Sequence, residues 1–254
     1  MIESPKNRVF KDIRRLKRCK GDSAVLEGPH LLRVALAAGV TLDSVLATPE
    51  ALAGESGALL ADHGLTATTV APRALESVAD SDSPRGVLAV ARLPRTGADQ
   101  LPLVEHGIYL FLDELQDPGN LGAVARAAEA SGAAGLALSA GCAHPNHPRA
   151  LRAAAGSLLR FPVAIGVEPD ALAERLASLA PTWYALSAQG ADDLYEIPLT
   201  PPLILVVGGE RGLDPTIESS CDRRVRIPMT DPVESLNAAV ATAIVLYELR
   251  RRLV

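Results

Sequence analysis

Short apolar runs alternate with helical segments through the second half of the chain, and this alternation restricts the fold more than any other feature. The run Gly107-Ile-Tyr-Leu-Phe-Leu112 is apolar throughout, as expected of a strand buried on both faces of a parallel sheet. The same pattern predicts strands at 135–138, 161–165, 182–186, 203–207 and 224–227, and helices at 121–131, 150–159, 170–179 and 236–252. Such alternation predicts an α/β domain with helices on both faces of a parallel sheet.

The N-terminal part has the same character on a smaller scale. Its pattern predicts strands at 23–26, 44–47, 67–70 and 86–92, and helices at 29–38, 51–63 and 72–77. Two prolines and a glycine then interrupt all periodicity between residues 93 and 102, as is typical of a linker. We therefore expect a small α/β domain at 1–93, a linker at 94–102 and a larger domain at 103–254.

Composition sets limits on how such a chain binds its ligands. Of the 254 residues 48% are hydrophobic and only 3% aromatic, so the core should be aliphatic and base stacking on aromatic platforms is not expected. The net charge of −5 argues against a surface that is cationic overall. Between Lys6 and Lys20, however, eight basic residues accompany one acid, Asp12.

This basic segment has two readings that charge alone leaves open. It is suited to phosphate contacts with RNA, for which the candidates are Arg8, Arg14, Arg15, Lys17 and Arg18. The same run of charges also fits a basic helix exposed to solvent or a disordered tail, neither of which binds RNA. A second candidate contact is the loop around residues 144–152, whose Asn146 and Arg152 could bind a substrate phosphate.

Cysteine and histidine usage predicts neither metal nor disulfides. Cys19, Cys142 and Cys221 are isolated, which favours a reducing cytoplasm. His144 and His147 are separated by prolines and have no acidic or Cys ligand nearby, so we expect no metal site. No apolar run approaches the ~20 residues of a membrane span, and no signal peptide is recognisable, so we expect a cytoplasmic protein without a membrane partner.

Polar residues cluster where the predicted parallel strands end, which is where α/β sheets bind ligands. The turn Asp117-Pro-Gly-Asn120 follows the predicted strand at 107–112, and Asn120 is predicted to cap the helix at 121–131. Arg126 lies six residues further on, from where we expect it to reach an anion at the sheet edge. The alternative is a surface ion pair with Glu129.

The loop Gly208-Gly-Glu210-Arg-Gly212 follows the strand at 203–207 and lets backbone approach a ligand closely. It matches neither the P-loop nor the GxGxxG pattern, which disfavours a generic nucleotide-binding enzyme. Glu210 is predicted to orient a ligand hydroxyl or an arginine, or else to be an exposed turn acid.

A third polar segment follows the strand at 224–227. Asp231-Pro-Val-Glu234 resembles a capping box, which predicts a helix beginning there. Ser235 and Asn237 would then lie in the first turns, where their side chains need hydrogen-bond partners in a ligand or in nearby carbonyls.

Taken together, three segments resemble the motifs of the SpoU (TrmH-like) RNA ribose 2′-O-methyltransferases of the SPOUT superfamily, in the same order. They are Asn120-Leu-Gly-Ala-Val-Ala-Arg126, Val206-Val-Gly-Gly-Glu210-Arg-Gly-Leu213 and Ile227-Pro-Met229 with Ser235-Leu-Asn237. The stretch from Arg152 to Pro162 also resembles a segment of this family, and Val25-Leu-Glu27-Gly28-Pro-His-Leu resembles the start of the substrate-binding domain of many members. The resemblance covers nearly the whole chain.

The resemblance implies a SPOUT domain with a deep trefoil knot, preceded by the small substrate-binding domain. It implies S-adenosyl-L-methionine as cofactor and a homodimer with the C-terminal helix in the interface. The cofactor would be surrounded, largely through main-chain groups, by Val207, Gly208, Gly209, Ile227, Met229 and Leu236.

The implied reaction transfers a methyl group to a ribose 2′-hydroxyl of RNA, most readily 23S ribosomal RNA given the added domain. A tRNA substrate, or a catalytically silent RNA-binding protein, are the alternatives. Arg126 matches an arginine often proposed as general base, but a guanidinium stays protonated at ordinary pH. We therefore expect it to hold the target phosphate and stabilise developing alkoxide charge, with deprotonation only in an unusually perturbed environment. Asn120, Glu210, Ser235 and Asn237 would orient Arg126 and the ribose.

Two positions depart from the family pattern. Asp231 stands where many relatives have Gly, and Ala154 where several have Ser. The first is compatible with the predicted helix cap, and the second would alter substrate contacts.

Overall fold

A computed structural model describes residues 1–18, 21–81 and 84–253. The chain forms two compact units, one of Met1–Pro94 with His144–Arg160 and the other of Arg95–Ala143 with Phe161–Val254. The prediction of consecutive domains differs from this division, because residues 144–160 pack with the N-terminal residues. Asn146 contributes to this packing, since its buried side-chain amide donates to the carbonyls of Gly21 and Leu93 at 2.9 and 3.0 Å. Cys19 and Lys20, at the end of the basic segment, lie outside the described residues.

Most predicted elements are present, with shifted ends. The strands are β1 (Ser23–Glu27), β2 (Leu42–Ala47), β3 (Thr68–Thr69), β4 (Val87–Arg92), β5 (Ile108–Asp113), β6 (Gly135–Leu138), β7 (Val163–Ile165), β8 (Thr182–Leu186), β9 (Asp192–Asp193), β10 (Leu203–Gly208) and β11 (Arg223–Arg226). The helices are α1 (Arg8–Leu16), α2 (Gly28–Ala37), α3 (Pro49–Ala53), α4 (Glu55–Asp62), α5 (Pro72–Glu76), α6 (Pro118–Ser131), α7 (Pro148–Ala153), α8 (Pro169–Leu176), α9 (Pro215–Ser220) and α10 (Ala238–Leu253).

Several helical predictions were wrong in detail. The helix expected at 51–63 is two short helices, α3 and α4, which meet at Gly54 with its extended backbone. The helix expected at 150–159 ends at Ala153, and a 3-10 turn follows at Ser157–Leu159. Helix α9 and strand β9 were not expected. Within the basic segment, whose conformation the sequence left open, Arg8–Leu16 form α1.

The N-terminal unit contains a four-stranded sheet in the order β1-β4-β2-β3, antiparallel except for the β2–β3 pair. Helix α1 packs on it through Phe10 and Ile13, which are buried with Val25, Leu46 and Leu88. Asn7 begins α1 by accepting the N–H of Val9. The helix is thus an amphipathic part of this core, with its basic residues on the remaining faces.

The C-terminal unit is built on a seven-stranded sheet in the order β7-β6-β5-β10-β8-β11-β9, in which every pair is parallel. Side chains alternate between faces along a strand. Tyr109 and Phe111 of β5 pack on one face with Leu172 of α8, while Leu110 and Leu112 are fully buried on the other. The prediction of a parallel sheet covered on both faces is confirmed.

The C-terminal end of α10 is anchored by a small ionic network. Arg252 donates to Glu248 and to the carbonyls of Leu194 and Ile197, and Arg251 donates to Glu248 at 2.7 and 2.8 Å. Hydrogen bonds from Arg251 and Arg252 lower the pKa of the Glu248 carboxyl to about 2. The last turns of α10 are therefore held to the loop after β9, whereas its first turn lines a cavity at the edge of the sheet.

Candidate active site

A cavity of about 620 Å³ opens where β10, β8 and β11 end. These strands are neighbours in the sheet, so the loops that follow them meet at its carboxyl edge. The lining residues are Asn120, Leu186, Ser187, Ala188, Gln189, Val207, Gly208, Gly209, Glu210, Arg211, Gly212, Leu213, Glu218, Ile227, Met229, Ser235, Leu236, Asn237, Ala238 and Ala241. The three segments singled out in the sequence therefore do converge on one site.

Three polar side chains form a hydrogen-bonded chain on the cavity wall. Asn237 donates its side-chain N–H to Asn120 Oδ1 at 2.9 Å. Asn120 donates in turn to Glu210 Oε1 at 3.3 Å. These residues come from three different motif segments, and the chain fixes the orientation of both amides. Glu210 keeps its second carboxylate oxygen for other donors.

Asn237 also begins α10, which corrects the predicted helix start. Its Oδ1 accepts the N–H of Ala239 at 2.9 Å and of Val240 at 3.3 Å. Asp231 does not cap the helix, and residues 231–237 instead form an exposed, irregular segment. The local capping-box pattern was overridden because this segment forms one side of the cavity. Ser235 lies in it and lines the cavity, with no hydrogen-bond partner for its hydroxyl among the described residues.

Helix α6 also starts differently from the prediction. Asp117 is its N-cap and accepts the N–H of Asn120 at 2.8 Å, while Pro118 occupies the first turn. Asn120 therefore lies inside the first turn instead of capping it. Because the backbone there is satisfied by Asp117, the Asn120 amide is free to join the chain between Asn237 and Glu210.

The glycines of the loop after β10 are required by close backbone contacts. A Cβ on Gly209 would lie 2.2 Å from the carbonyl oxygen of Glu114, and one on Gly208 would lie 2.3 Å from the carbonyl carbon of Gly212. The loop is held at both ends by Asp113, whose carbonyl accepts the N–H of Gly209 at 2.8 Å. Its buried carboxylate accepts the N–H of Asp214 at 3.0 Å.

Arg126 is exposed on α6 and is not among the residues that line the cavity. Six residues correspond to about 1.7 helical turns, which puts the side chains of Asn120 and Arg126 on different faces of α6. The expectation that Arg126 reaches an anion at the sheet edge stays a prediction. Its side chain makes no hydrogen bond or ion pair, Glu129 included, with the part of the chain that the structure describes. The Arg126 guanidinium is thus free to bind a molecule that approaches the exposed face of α6.

Four polar cavity residues were not singled out from the sequence. They are Ser187, Gln189, Arg211 and Glu218. A signal existed for the first two, because Ser187-Ala-Gln-Gly190 directly follows a predicted strand at the carboxyl edge. Arg211 lay within the glycine loop, but nothing local distinguished it from a solvent-exposed arginine.

The basic residues of α1 and of the turn that follows it, Lys17 and Arg18, divide between two faces. Arg8, Lys11, Arg15 and Arg18 are exposed and recur every three or four residues, so they form one stripe, which we call the α1 basic stripe. Arg14 and Lys17 point the other way. Arg14 donates to the Ser77 hydroxyl at 3.0 Å, and Lys17 pairs with Asp80 with its side chain 11% exposed.

The other two candidate RNA contacts also differ from each other. Asn146 is buried and donates to the carbonyls of Gly21 and Leu93, so we assign it a structural role. Arg152 is exposed and donates to the Asp80 carbonyl at 3.3 Å, which leaves most of its donors to solvent.

Among the helices of the described residues, none is long and apolar enough to cross a membrane.

Comparison with known proteins gives a consistent result for both units. The model of the SpoU rRNA methylase family matches residues 107–247, and that of the MRM3-like substrate binding domain matches residues 7–89. An uncharacterized tRNA/rRNA methyltransferase of Synechocystis is 34% identical over 260 residues, covering 99% of this chain and 93% of that protein. The 23S rRNA (guanosine(2553)-2′-O)-methyltransferase RlmP of Bacillus subtilis is 30% identical, covering 98% of each chain.

A solved structure agrees with these relatives. The SpoU methyltransferase AviRb from Streptomyces viridochromogenes, in complex with the cofactor AdoMet, superposes with a TM-score of 0.88 at 25% identity, covering 97% of this chain and 98% of that one. The family match extends over more than half of the chain and contains all the lining residues of the cavity. The chain belongs to the SpoU rRNA methylase family.

Proposed function

We propose that this protein transfers the methyl group of S-adenosyl-L-methionine to a ribose 2′-hydroxyl of 23S ribosomal RNA. The observation that carries the proposal is the cavity in which Asn120, Glu210 and Asn237 form one hydrogen-bonded chain. Relatives that align over almost the whole chain support an RNA substrate, and RlmP of Bacillus subtilis acts on 23S rRNA. A ribose acceptor also explains why RNA is used, since DNA lacks the 2′-hydroxyl.

The cavity suits a nucleoside-sized cofactor. Its volume of about 620 Å³ lies in the range of small-molecule sites, and Val207, Ile227 and Leu236 give it apolar walls. Gly208 and Gly209 place main-chain atoms, without side chains, along the same wall. We propose that these five residues and Met229 hold the cofactor. When bound, the cofactor supplies an electrophilic methyl group on a sulfonium.

The residues of the chain then serve orientation and charge. Asn120 and Asn237 are fixed relative to each other by their hydrogen bond, so each amide presents its remaining N–H to the ribose in a defined direction. Ser235, whose hydroxyl has no partner among the described residues, is placed to contact the acceptor ribose, and Glu210 orients Asn120. Arg126 holds the target phosphate from outside the cavity and stabilises negative charge on the 2′-oxygen.

Mapping of ribose methylation in ribosomal RNA from cells with and without the protein tests this function. We expect one 23S ribose to lose its methyl group when the gene is deleted and to regain it with purified protein and cofactor in vitro. Transfer RNA mapped in parallel is the control. Loss of a methyl group from tRNA alone would replace the proposed substrate, and no change in either RNA would refute the activity.

We propose that the α1 basic stripe contacts the RNA backbone. The variant Arg15→Gln/Arg18→Gln should weaken RNA binding and lower the slope of log Kd against log salt by about 1.4 to 1.8, because two phosphate contacts are lost. Filter binding over a salt series measures both quantities. The charge-matched control is Arg73→Gln/Arg92→Gln, which removes two exposed arginines on α5 and β4. Equal behaviour of the two variants would exclude the stripe as a contact.

We further propose a homodimer through α10. Val240 and Tyr247 are 50% and 52% exposed and lie seven residues apart, so they form an apolar stripe opposite the buried face of the helix. The molar mass in solution tests this assembly.

The trefoil knot stays a prediction. We also propose that the protein acts in the cytoplasm, because its proposed substrate is ribosomal RNA.

A further inference from the structure

Charge is unevenly distributed on the cavity wall. Glu210 and Glu218 both line it, and Arg211 is the one basic side chain among the lining residues that the structure describes. A strand of RNA carries a negative charge at every phosphate. Two carboxylates at the rim oppose the approach of such a strand unless a cation meets one of its phosphates. Arg211 has the charge and the place to do so.

Arg211 is paired in a way that leaves it easy to recruit. Its Nη2 lies 2.8 Å from Glu114 Oε2, and the two side chains are 78% and 53% exposed. An exposed ion pair of this kind contributes ~0–1 kcal/mol, so exchanging one partner for another costs little. A phosphate offers the guanidinium a bidentate, charge-assisted contact that competes well with a single carboxylate oxygen.

The backbone holds Glu114 in place. Its φ of 49° is in the left-handed region, and its N–H donates to the Ser139 hydroxyl at 3.0 Å. Its carbonyl packs against Gly209 so closely that a Cβ there would lie 2.2 Å away. The carboxylate is therefore presented to Arg211 by a constrained turn, and it remains beside the rim when Arg211 changes partner.

We infer that Arg211 binds an RNA backbone phosphate at the rim of the cavity and that Glu114 is a competing acceptor that sets how tightly RNA binds. This inference rests on the proposed function, because it requires RNA at this cavity. It adds a determinant of RNA affinity that acts before methyl transfer. Removing the cation and removing its competitor should therefore have opposite effects.

The test compares Arg211→Ala, Arg211→Lys and Glu114→Gln in the full chain, with unmodified 23S rRNA transcribed in vitro. We expect Arg211→Ala to raise the KM for RNA about 5- to 10-fold, with kcat within twofold, and to reduce the salt slope of RNA binding by about 0.7 to 0.9. Arg211→Lys should recover part of the affinity. Glu114→Gln should lower the KM about 2- to 5-fold, because the freed guanidinium no longer has a charged competitor.

The matched control is Arg223→Ala, which removes an exposed arginine paired with Asp192 and outside the cavity. Its RNA affinity should stay within twofold of wild type. The inference is overturned if Arg211→Ala behaves like this control, if Glu114→Gln weakens RNA binding, or if Arg211→Ala weakens only binding of S-adenosyl-L-methionine. A failure of the proposed function would be recognised separately, since wild-type protein would then neither bind nor methylate this RNA.

Discussion

Arg126→Ala should lower the kcat of methyl transfer by about 100- to 1,000-fold while leaving the Kd of S-adenosyl-L-methionine within twofold of wild type. The fall is that expected when a cationic donor to developing negative charge in the bound RNA is removed. Cofactor binding should be spared because Arg126 lies on α6 outside the cavity. Single-turnover methyl transfer and calorimetric titration of the cofactor measure the two effects.

Two further variants define the role of Arg126. Arg126→Lys keeps the charge but loses the planar fork, so we expect it to recover only a small part of the rate. Ala130→Gln, at another exposed position of α6, should retain wild-type turnover. Full activity of Arg126→Ala would show that the helix serves only as a support for Asn120.

The second large effect should come from Gly209→Ala. The added Cβ would lie 2.2 Å from the backbone oxygen of Glu114. The backbone at 209 cannot move away from Glu114 without stretching the hydrogen bond from the Gly209 N–H to the Asp113 carbonyl. Clashes of this kind cost about 1–3 kcal/mol. If displacement of the loop absorbs that cost, the Kd of the cofactor should rise about 10- to 100-fold. Thermal unfolding with and without cofactor separates the loss of stability from the loss of binding.

The controls for Gly209 separate steric clash from backbone strain. Gly212 has a φ of 83° but open space around its Cβ position, so Gly212→Ala should cost only the strain of about 1 kcal/mol. Gly97 has neither restriction, and Gly97→Ala should be close to neutral. Wild-type cofactor affinity in Gly209→Ala would contradict the assignment of this loop as a cofactor wall.

Much of the fold follows from local patterns in the sequence. The apolar run at 107–112 predicts a strand buried on both faces, and β5 occupies that position at Ile108–Asp113 with its side chains buried. Helix ends were less predictable. Asp231 has every local feature of an N-cap, yet Asn237 begins α10 by accepting the N–H of Ala239. A capping preference amounts to about 1 kcal/mol, which the hydrogen bonds of Asn237 with Asn120, Ala239 and Val240 can outweigh.

The candidate site, too, was only partly predictable from the sequence. The sequence order predicted that the segments around Asn120, Glu210 and Asn237 share one site, because loops at the carboxyl ends of parallel strands meet. It did not predict that Asn237 donates to Asn120, a residue 117 positions away, since such a contact depends on how the strands are ordered in the sheet. It also did not separate Arg14 and Lys17, which face the 77–80 loop, from the exposed α1 basic stripe.

The sequence alone determined the class of fold, the three motif segments and the place of the glycine-rich loop after the strand at 203–207. These properties are encoded in periodicity and in residue type, which act over a few neighbouring positions. Only the tertiary structure decided that residues 144–160 pack with the N-terminal unit, that Arg126 lies outside the cavity and that Arg211 lies at its rim beside Glu114. Each of these depends on contacts between residues far apart in the chain, and only packing of the whole unit brings those residues together.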